Sequence, residues 1–264
     1  MNLSISNIGW AEKDDDIVYS MMMDFGFRGL EIAPTRIFTE HPYDDLERAG
    51  IWASCIHSQY GFSIPSMQSI WYGRTEKLFG TEKEQNKLLV YTRKAIRFAE
   101  RIGCSNMVFG CPKNRSMPEG ADLESVIRFF REVGDYAYDH HTVIALEPNP
   151  PIYNTNFINT TKEAIEIAKR VGSKGVLLNL DLGAMIENQE LISDLRDGIE
   201  LINHVHISEP GLKAIQRRKL HRELAGLLEE IDYKGYVSIE VGMQESIESI
   251  RDMMVYVKSV FHDY

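Results

Sequence analysis

Four apolar runs in this chain each end on a side chain able to bind a metal: VIALE on Glu147, VLLNLD on Asp181, INHVH on His206 and YVSIE on Glu240. They recur at intervals of about 25 to 34 residues, the length of one strand–helix unit. If each run is a parallel strand, the four side chains sit at strand C-terminal ends, which converge on one mouth in a closed α/β barrel. Three carboxylates and an imidazole gathered there would repel one another unless a divalent cation held them. A single strand-end Asp or Glu has an ordinary explanation as a helix cap, and a single His as a hydrogen-bonded structural residue. Four on consecutive strands carry the expectation. The oxygen-rich donor set with one imidazole suits one Mn²⁺, Mg²⁺ or Co²⁺ and admits Zn²⁺.

The elements that must position these residues follow from the alternation of short β-branched runs with longer segments of helical period, the pattern of a parallel sheet with crossover helices. Strands are predicted at 3–9, 29–34, 52–57 (WASCIH), 106–110, 142–147, 175–181, 202–208 and 236–241. Helices are expected in DDDIVYSMMMDFGF, around PYDDLERAG with Gly50 as its stop, in EKEQNKLLVYTRKAIRFAERIG and in DLESVIRFFREVGDYAYDH. Four more follow at 160–172, 187–198, 215–231 and 244–261. Eight such pairs without a linker or composition break make a single (β/α)8 barrel over 1–264 the economical reading, with a doubly wound open sheet as the alternative. No G-x-G-x-x-G or P-loop follows any strand, so a nucleotide-binding sheet gains no support. Two connections are long. Residues 58–81 hold Tyr60, Phe62, Trp71, Tyr72 and Phe79 and read as a lid over a sugar ring, or as a segment packed down or in a subunit contact. Residues 148–159 directly follow Glu147 and are stiffened by prolines.

The 264 residues match the roughly 250 of one such barrel. A formal charge of −10 argues against a nucleic-acid partner, since phosphate backbones are bound by clustered Lys and Arg. The KRVGSK and QRRKLHR stretches read as solvated helix ends. MNLSISNIGW lacks a signal peptide's charged start and long apolar core, and no apolar run reaches the ~18 residues of a membrane span. Cys55, Cys104 and Cys111 show no framework spacing, which fits reduced thiols and a cytoplasmic location.

ALEPNP, NLDLGAM, HVHISEP and GYVSIE, with FGCPKNR after the fourth strand and YNTNF after the fifth, resemble in order the motifs of the sugar phosphate isomerase/epimerase family, the xylose-isomerase-like TIM barrels. The resemblance covers essentially the whole chain. It implies that Glu147, Asp181, His206 and Glu240 bind one divalent metal and that Glu147 and Glu240 are the catalytic acid/base pair. The implied reaction is isomerisation or epimerisation of a sugar or sugar derivative by proton transfer beside a carbonyl, through a metal-stabilised enediolate. Alternatives are a metal-dependent lyase or dehydratase on the same barrel and a non-catalytic metal- or sugar-binding barrel, because a fold does not set a reaction. The expected partner is a small carbohydrate, and a homodimer is permitted.

Further mouth residues are expected to touch substrate: His57 at the end of the third predicted strand, where relatives often carry a polar contact, and Lys113 and Arg115, suited to a phosphate or carboxylate. Asn149 and His221 are expected to support the ligands or contact the sugar. Glu31 lies within the second predicted strand. His204 shares the direction of His206 one layer deeper and is expected to be structural. One departure stands out: many relatives place a histidine three residues after the metal-binding aspartate, where this chain has Ala184. A barrel of the endonuclease IV type is disfavoured, since its zinc cluster needs several histidines and this acidic chain has eight, few of them at strand ends.

Overall fold

The computed structural model describes residues 1–262. Eight parallel strands form the wall: β1 (Asn2–Ser6), β2 (Gly29–Glu31), β3 (Ser66–Met67), β4 (Asn106–Phe109), β5 (Ile144–Leu146), β6 (Val176–Asp181), β7 (Ile202–Ile207) and β8 (Tyr236–Ile239). They pair in the order β2-β1-β8-β7-β6-β5-β4-β3. The remaining seam between β2 and β3 is joined by Leu30 N–H to Ser63 O, Ile32 N–H to Ser66 O and Gln68 N–H to Ile32 O, at 2.9–3.2 Å. Strands buried on both faces read as continuous apolar runs rather than alternating ones, which is why VLLNLD and YVSI stand out in the sequence.

The helices between strands are α1 (Asp15–Phe25), α2 (Pro34–Ile37), α3 (Leu46–Tyr60), α4 (Glu82–Ile102), α5 (Leu123–Asp139), α6 (Thr161–Val171), α7 (Leu182–Glu187), α8 (Lys219–Glu230) and α9 (Ile247–Phe261). α4 and α6 open with reciprocal capping boxes, Thr81 with Glu84 and Thr160 with Glu163, which satisfy orphan N–H groups that would otherwise fray the first turn. Apolar stripes such as Leu88, Ala95, Ile96, Phe98, Ala99 and Ile102 of α4 face the strands and build the outer core. Among the described residues, no helix is long and apolar enough to cross a membrane.

Two stretches differ from the sequence expectation. WASCIH (52–57) is helix, not strand: Asp45 accepts the Arg48 N–H as N-cap, and the helix runs without a break to Gly61, whose φ of 71° ends it. Gly50 does not stop this helix. A Cβ there would lie 2.4 Å from Arg101 Nε, so the glycine permits α3 to pack against α4. The true third strand is only Ser66–Met67, too short to show a pattern. The second difference follows β6. A helix was expected over 187–198, but α7 starts at Leu182, capped by Asp181 itself, and a 3₁₀ segment occupies Ile192–Leu201. The remaining long connection, 68–81, is packed down in part: Tyr72 is exposed, and Gln68 and Ser69 line a cavity at the strand ends. Trp71 is buried edge-on against Phe109 and Phe129 and donates to Thr92 Oγ1, so it is core rather than a sugar platform.

Candidate metal centre and substrate cavity

Glu147, Asp181, His206 and Glu240 lie at or just past the C-terminal ends of β5, β6, β7 and β8, and all are buried. One donor atom from each lies within 4.8 Å of the other three. A register shift in the β6–β7 ladder contributes to this meeting. Leu178 pairs with Ile202, but Asn179 pairs with His204 and Asp181 with His206, so Asn203 is the extra residue on β7. Such a bulge re-aims the side chains beyond it. His206 Nδ1 then stands 3.0 Å from Glu147 Oε1, 3.2 Å from Glu240 Oε2 and 3.9 Å from Asp181 Oδ2.

The other ring nitrogen sets the chemistry of the first. His206 Nε2 is 3.0 Å from Glu31 Oε2, and His204 Nε2 is 2.8 Å from the same oxygen. A carboxylate only accepts, so both Nε2 atoms carry protons. His206 Nδ1 therefore faces the three carboxylates with its lone pair unless a second proton or a cation lies between. This is the fit expected of a divalent ion's donor set: the acceptors converge with no donor among them sufficient to neutralise three negative charges. The proton-only state shows the strain. Burial, then Glu147 and Glu240, push the Asp181 carboxyl up to about 8. Burial also raises Glu240, against the opposing pull of His206. For His206 burial acts downward, but Glu31 and Glu240 hold the imidazole well above its usual value. Burial likewise opposes ionisation of Glu31, but the two imidazoles outweigh it and keep that carboxyl well below the normal range.

Two of the three carboxylates, Asp181 and Glu147, are held by further hydrogen bonds. Asp181 Oδ1 accepts the Ala184 N–H at 2.6 Å, and Oδ2 accepts the Ser208 hydroxyl at 2.5 Å; Ser208 in turn accepts the Gly183 N–H. Glu147 accepts from Asn179 Nδ2 at 2.8 Å and Asn149 Nδ2 at 3.2 Å. Gly110 stands against it: a Cβ there would sit 2.7 Å from Glu147 Oε2. At Ala184 only the backbone serves the site, through its bond to Asp181.

The three carboxylates of the cluster line a cavity of about 190 Å³, with His206 buried behind them; its walls also include Gln68, Asn149, Tyr153, Ser208, Glu209 and Leu212. Asn149 is thus where the sequence placed it. His57 is not: it is exposed on α3, with Nδ1 3.3 Å from Phe62 O, because its segment is helical. Lys113 is exposed on a 3₁₀ turn and absent from the cavity wall. Arg115 is fully buried and spends its guanidinium on main-chain carbonyls, Glu147 O twice at 3.0 Å, Phe109 O at 3.3 Å and Ile158 O at 3.2 Å, so it splints strand ends rather than offering charge to a ligand. His221 is buried beneath α8 against the Tyr256 hydroxyl at 3.0 Å, outside the cavity wall. His204 is buried with its Nε2 2.8 Å from Glu31 Oε2, outside the cavity wall. The sequence reading did not single out Asn179, Gln68, Tyr153, Ser208 or Glu209. Asn179 lies two residues before Asp181 on the same strand face, a period-2 signal; Ser208 and Glu209 lie inside HVHISEP, and Tyr153 inside YNTNF.

Comparison with solved structures gives matches over nearly the full length at low identity. D-Psicose 3-epimerase from Clostridium cellulolyticum H10 superposes with a TM-score of 0.81 at 16% identity, covering 99% of each chain. The 3-keto-D-glucoside 4-epimerase of E. coli gives 0.75 at 19% identity, covering 98% of this chain and 99% of the other. The probable 3-DHS dehydratase from Bacillus anthracis gives 0.70 at 14% identity, with 98% and 99% covered. These likenesses establish a shared fold. No match was found among curated protein sequences. The model of the xylose isomerase-like TIM barrel matches residues 22–255, and the chain belongs to that family.

Proposed function

We propose that this protein is a divalent-metal-dependent isomerase or epimerase of a small, uncharged sugar, moving a proton on the carbon beside a carbonyl. One observation carries the reading: four donors from four consecutive strands face one another within 4.8 Å, and three of them, Glu147, Asp181 and Glu240, line a single small cavity. Glu147, Asp181, Glu240 and His206 Nδ1 would hold the ion. Once bound, a divalent cation polarises a carbonyl and stabilises negative charge on its oxygen. Glu147 and Glu240 then act as the acid/base pair. They rise from β5 and β8, with the Asp181 and His206 strands between them, so one carboxylate can take the proton and the other return it. Asn149 and Asn179 fix the Glu147 carboxylate for that transfer, and the Arg115 splint fixes its main chain.

The cavity narrows the substrate. About 190 Å³ suits one monosaccharide, and no lysine or arginine is among the described residues lining it, which favours an unphosphorylated sugar. The epimerase neighbours, named for D-psicose and a 3-keto-D-glucoside, support a keto sugar. The dehydratase neighbour supports a second reading, in which the same proton abstraction is followed by loss of water.

The test is proton exchange. Protein loaded in turn with Mn²⁺, Mg²⁺, Co²⁺ or Zn²⁺ is incubated with free ketohexoses in D₂O and followed by NMR. Deuterium entering the sugar beside its carbonyl supports the reading, provided that Glu240→Gln, with metal retained, abolishes it. No exchange with any metal, or full exchange in Glu240→Gln, overturns it; a conjugated carbonyl product would transfer the assignment to the dehydratase class.

A further inference from the structure

The cavity is rich in acceptors and poor in free donors. Its carboxylates only accept. One N–H of Gln68 Nε2 is committed to Ser6 Oγ, both of Asn149 Nδ2 to Glu147 Oε2 and Pro148 O, and the Ser208 hydroxyl to Asp181. Apart from the exposed Ser69 hydroxyl, the weak Cys111 thiol donor and the second N–H of Gln68, one uncommitted side-chain proton remains among the described lining residues, that of Tyr153.

Tyr153 is placed to use it. Its ring is half-buried in the cavity wall, on the short 3₁₀ turn Pro151–Tyr153 that follows Glu147. The hydroxyl oxygen accepts the Gly211 N–H at 2.9 Å, which ties the connection after β5 to the one after β7. Gly242 N–H to Leu212 O at 2.8 Å joins the segment after β8 to the same turn. The oxygen is thus held between segments that each follow a ligand-bearing strand. A phenol that accepts one bond still has a proton to give, and this one has no acceptor among the described residues. Burial, reinforced by Asp181, Glu240 and Glu147, raises the phenol to about 12, so it stays protonated and near the metal-ligand cluster.

We propose that the Tyr153 hydroxyl donates a hydrogen bond to a hydroxyl or carbonyl oxygen of the sugar seated over Glu147, Asp181 and Glu240, and so helps to decide which sugars the site accepts. This rests on the function proposed above and adds a contact residue to it. A sugar oxygen can accept the proton that would otherwise go to water.

Tyr153→Phe removes the hydroxyl and keeps the ring. Metal content and thermal midpoint report any structural damage, while calorimetric titration of Mn²⁺-loaded protein with D-tagatose, D-fructose and D-allulose reports the contact independently of turnover. The expected result is unchanged metal content and midpoint, at least tenfold weaker binding of the preferred ketose, and a comparable fall in kcat/KM. Replacement by 3-fluorotyrosine keeps the acceptor oxygen for Gly211 and acidifies the donor. It should move the alkaline limb of the activity profile to lower pH, which loss of the Gly211 tie alone would not do. Ketose binding and turnover within twofold of wild type in Tyr153→Phe overturn the contact while leaving the enzyme assignment standing. A metal-loaded wild type that neither binds nor converts any of these sugars overturns both.

Discussion

Glu31 should govern metal affinity without touching the metal. Its carboxylate is fully buried, and one oxygen, Oε2, accepts Nε2 protons from both His204 and His206 at 2.8 and 3.0 Å. Its other oxygen has no partner among the described residues. Glu31→Gln preserves the volume but replaces that unpartnered oxygen, or the shared acceptor, with an NH₂ group. In the first orientation a buried donor is left unsatisfied, which costs about 1–3 kcal/mol. In the second, three N–H-bearing groups face one another, and His206 must rotate or change tautomer. Either way the carboxylate charge behind His206, which strengthens its Nδ1 as a donor to a cation, is lost. Changes to such supporting carboxylates typically lower metal affinity about 10–100-fold, or roughly 1.4–2.8 kcal/mol. Because a metal that binds only the folded form stabilises it by its binding free energy, the midpoint gain on adding saturating Mn²⁺ should shrink by about 3–6 °C per tenfold loss. The assay is a pair of thermal melts, metal-free and metal-loaded, for wild type and variant, with affinity from competition against a fluorescent chelator. A Glu31→Gln protein with the wild-type metal affinity and the wild-type midpoint gain would refute this account of the histidine tautomers.

Two further outcomes follow from buried groups. Arg115→Met leaves the buried Glu147 carbonyl without a donor among the described residues, while Phe109 O and Ile158 O keep the Glu147 and Asn149 N–H groups, and should lower unfolding stability in urea by about 1–3 kcal/mol. A variant as stable as wild type that had lost affinity for sugar phosphates would instead restore an anion-binding role. His221 carries an imidazole depressed by burial to about 4 from a reference of 6.5. Between those values the unfolded chain takes up a proton that the native one refuses, so stability is complete above pH 6.5 and falls as pH drops toward 4, by up to about 3 kcal/mol. Denaturation at pH 7.5 and pH 5 should show this slope flattened in His221→Gln, and an identical slope would sink the assignment.

Much of the barrel was legible because its ligand-bearing strands are buried on both faces and therefore unbroken in the sequence. The run that ends on Asp181 needs no partner to be recognised, since VLLNLD is too apolar for a surface helix. The third strand was missed for the opposite reason. Ser66–Met67 is defined only by its neighbours β2 and β4, while WASCIH borrows strand-like composition for a helix whose Asp45 cap and Arg101 contact are decided locally and by packing, respectively. Lys113 and Arg115 read alike as surface cations in FGCPKNR. Only the folded connection 148–159 provides the carbonyl of Ile158 that, with those of Phe109 and Glu147, turns Arg115 into a buried splint.

The sequence alone determined the four candidate donor residues, their spacing and the class of barrel, because period, composition and side-chain type are local properties of a chain. The tertiary structure decided what those donors can do. The register shift at Asn203, the proton on His206 Nε2 set by Glu31, the Ser208 hydroxyl on Asp181 and the Tyr153 proton left open over the cavity all join residues distant in sequence. No pattern along the chain encodes such contacts, since they exist only where closure of the barrel brings separate strand ends together.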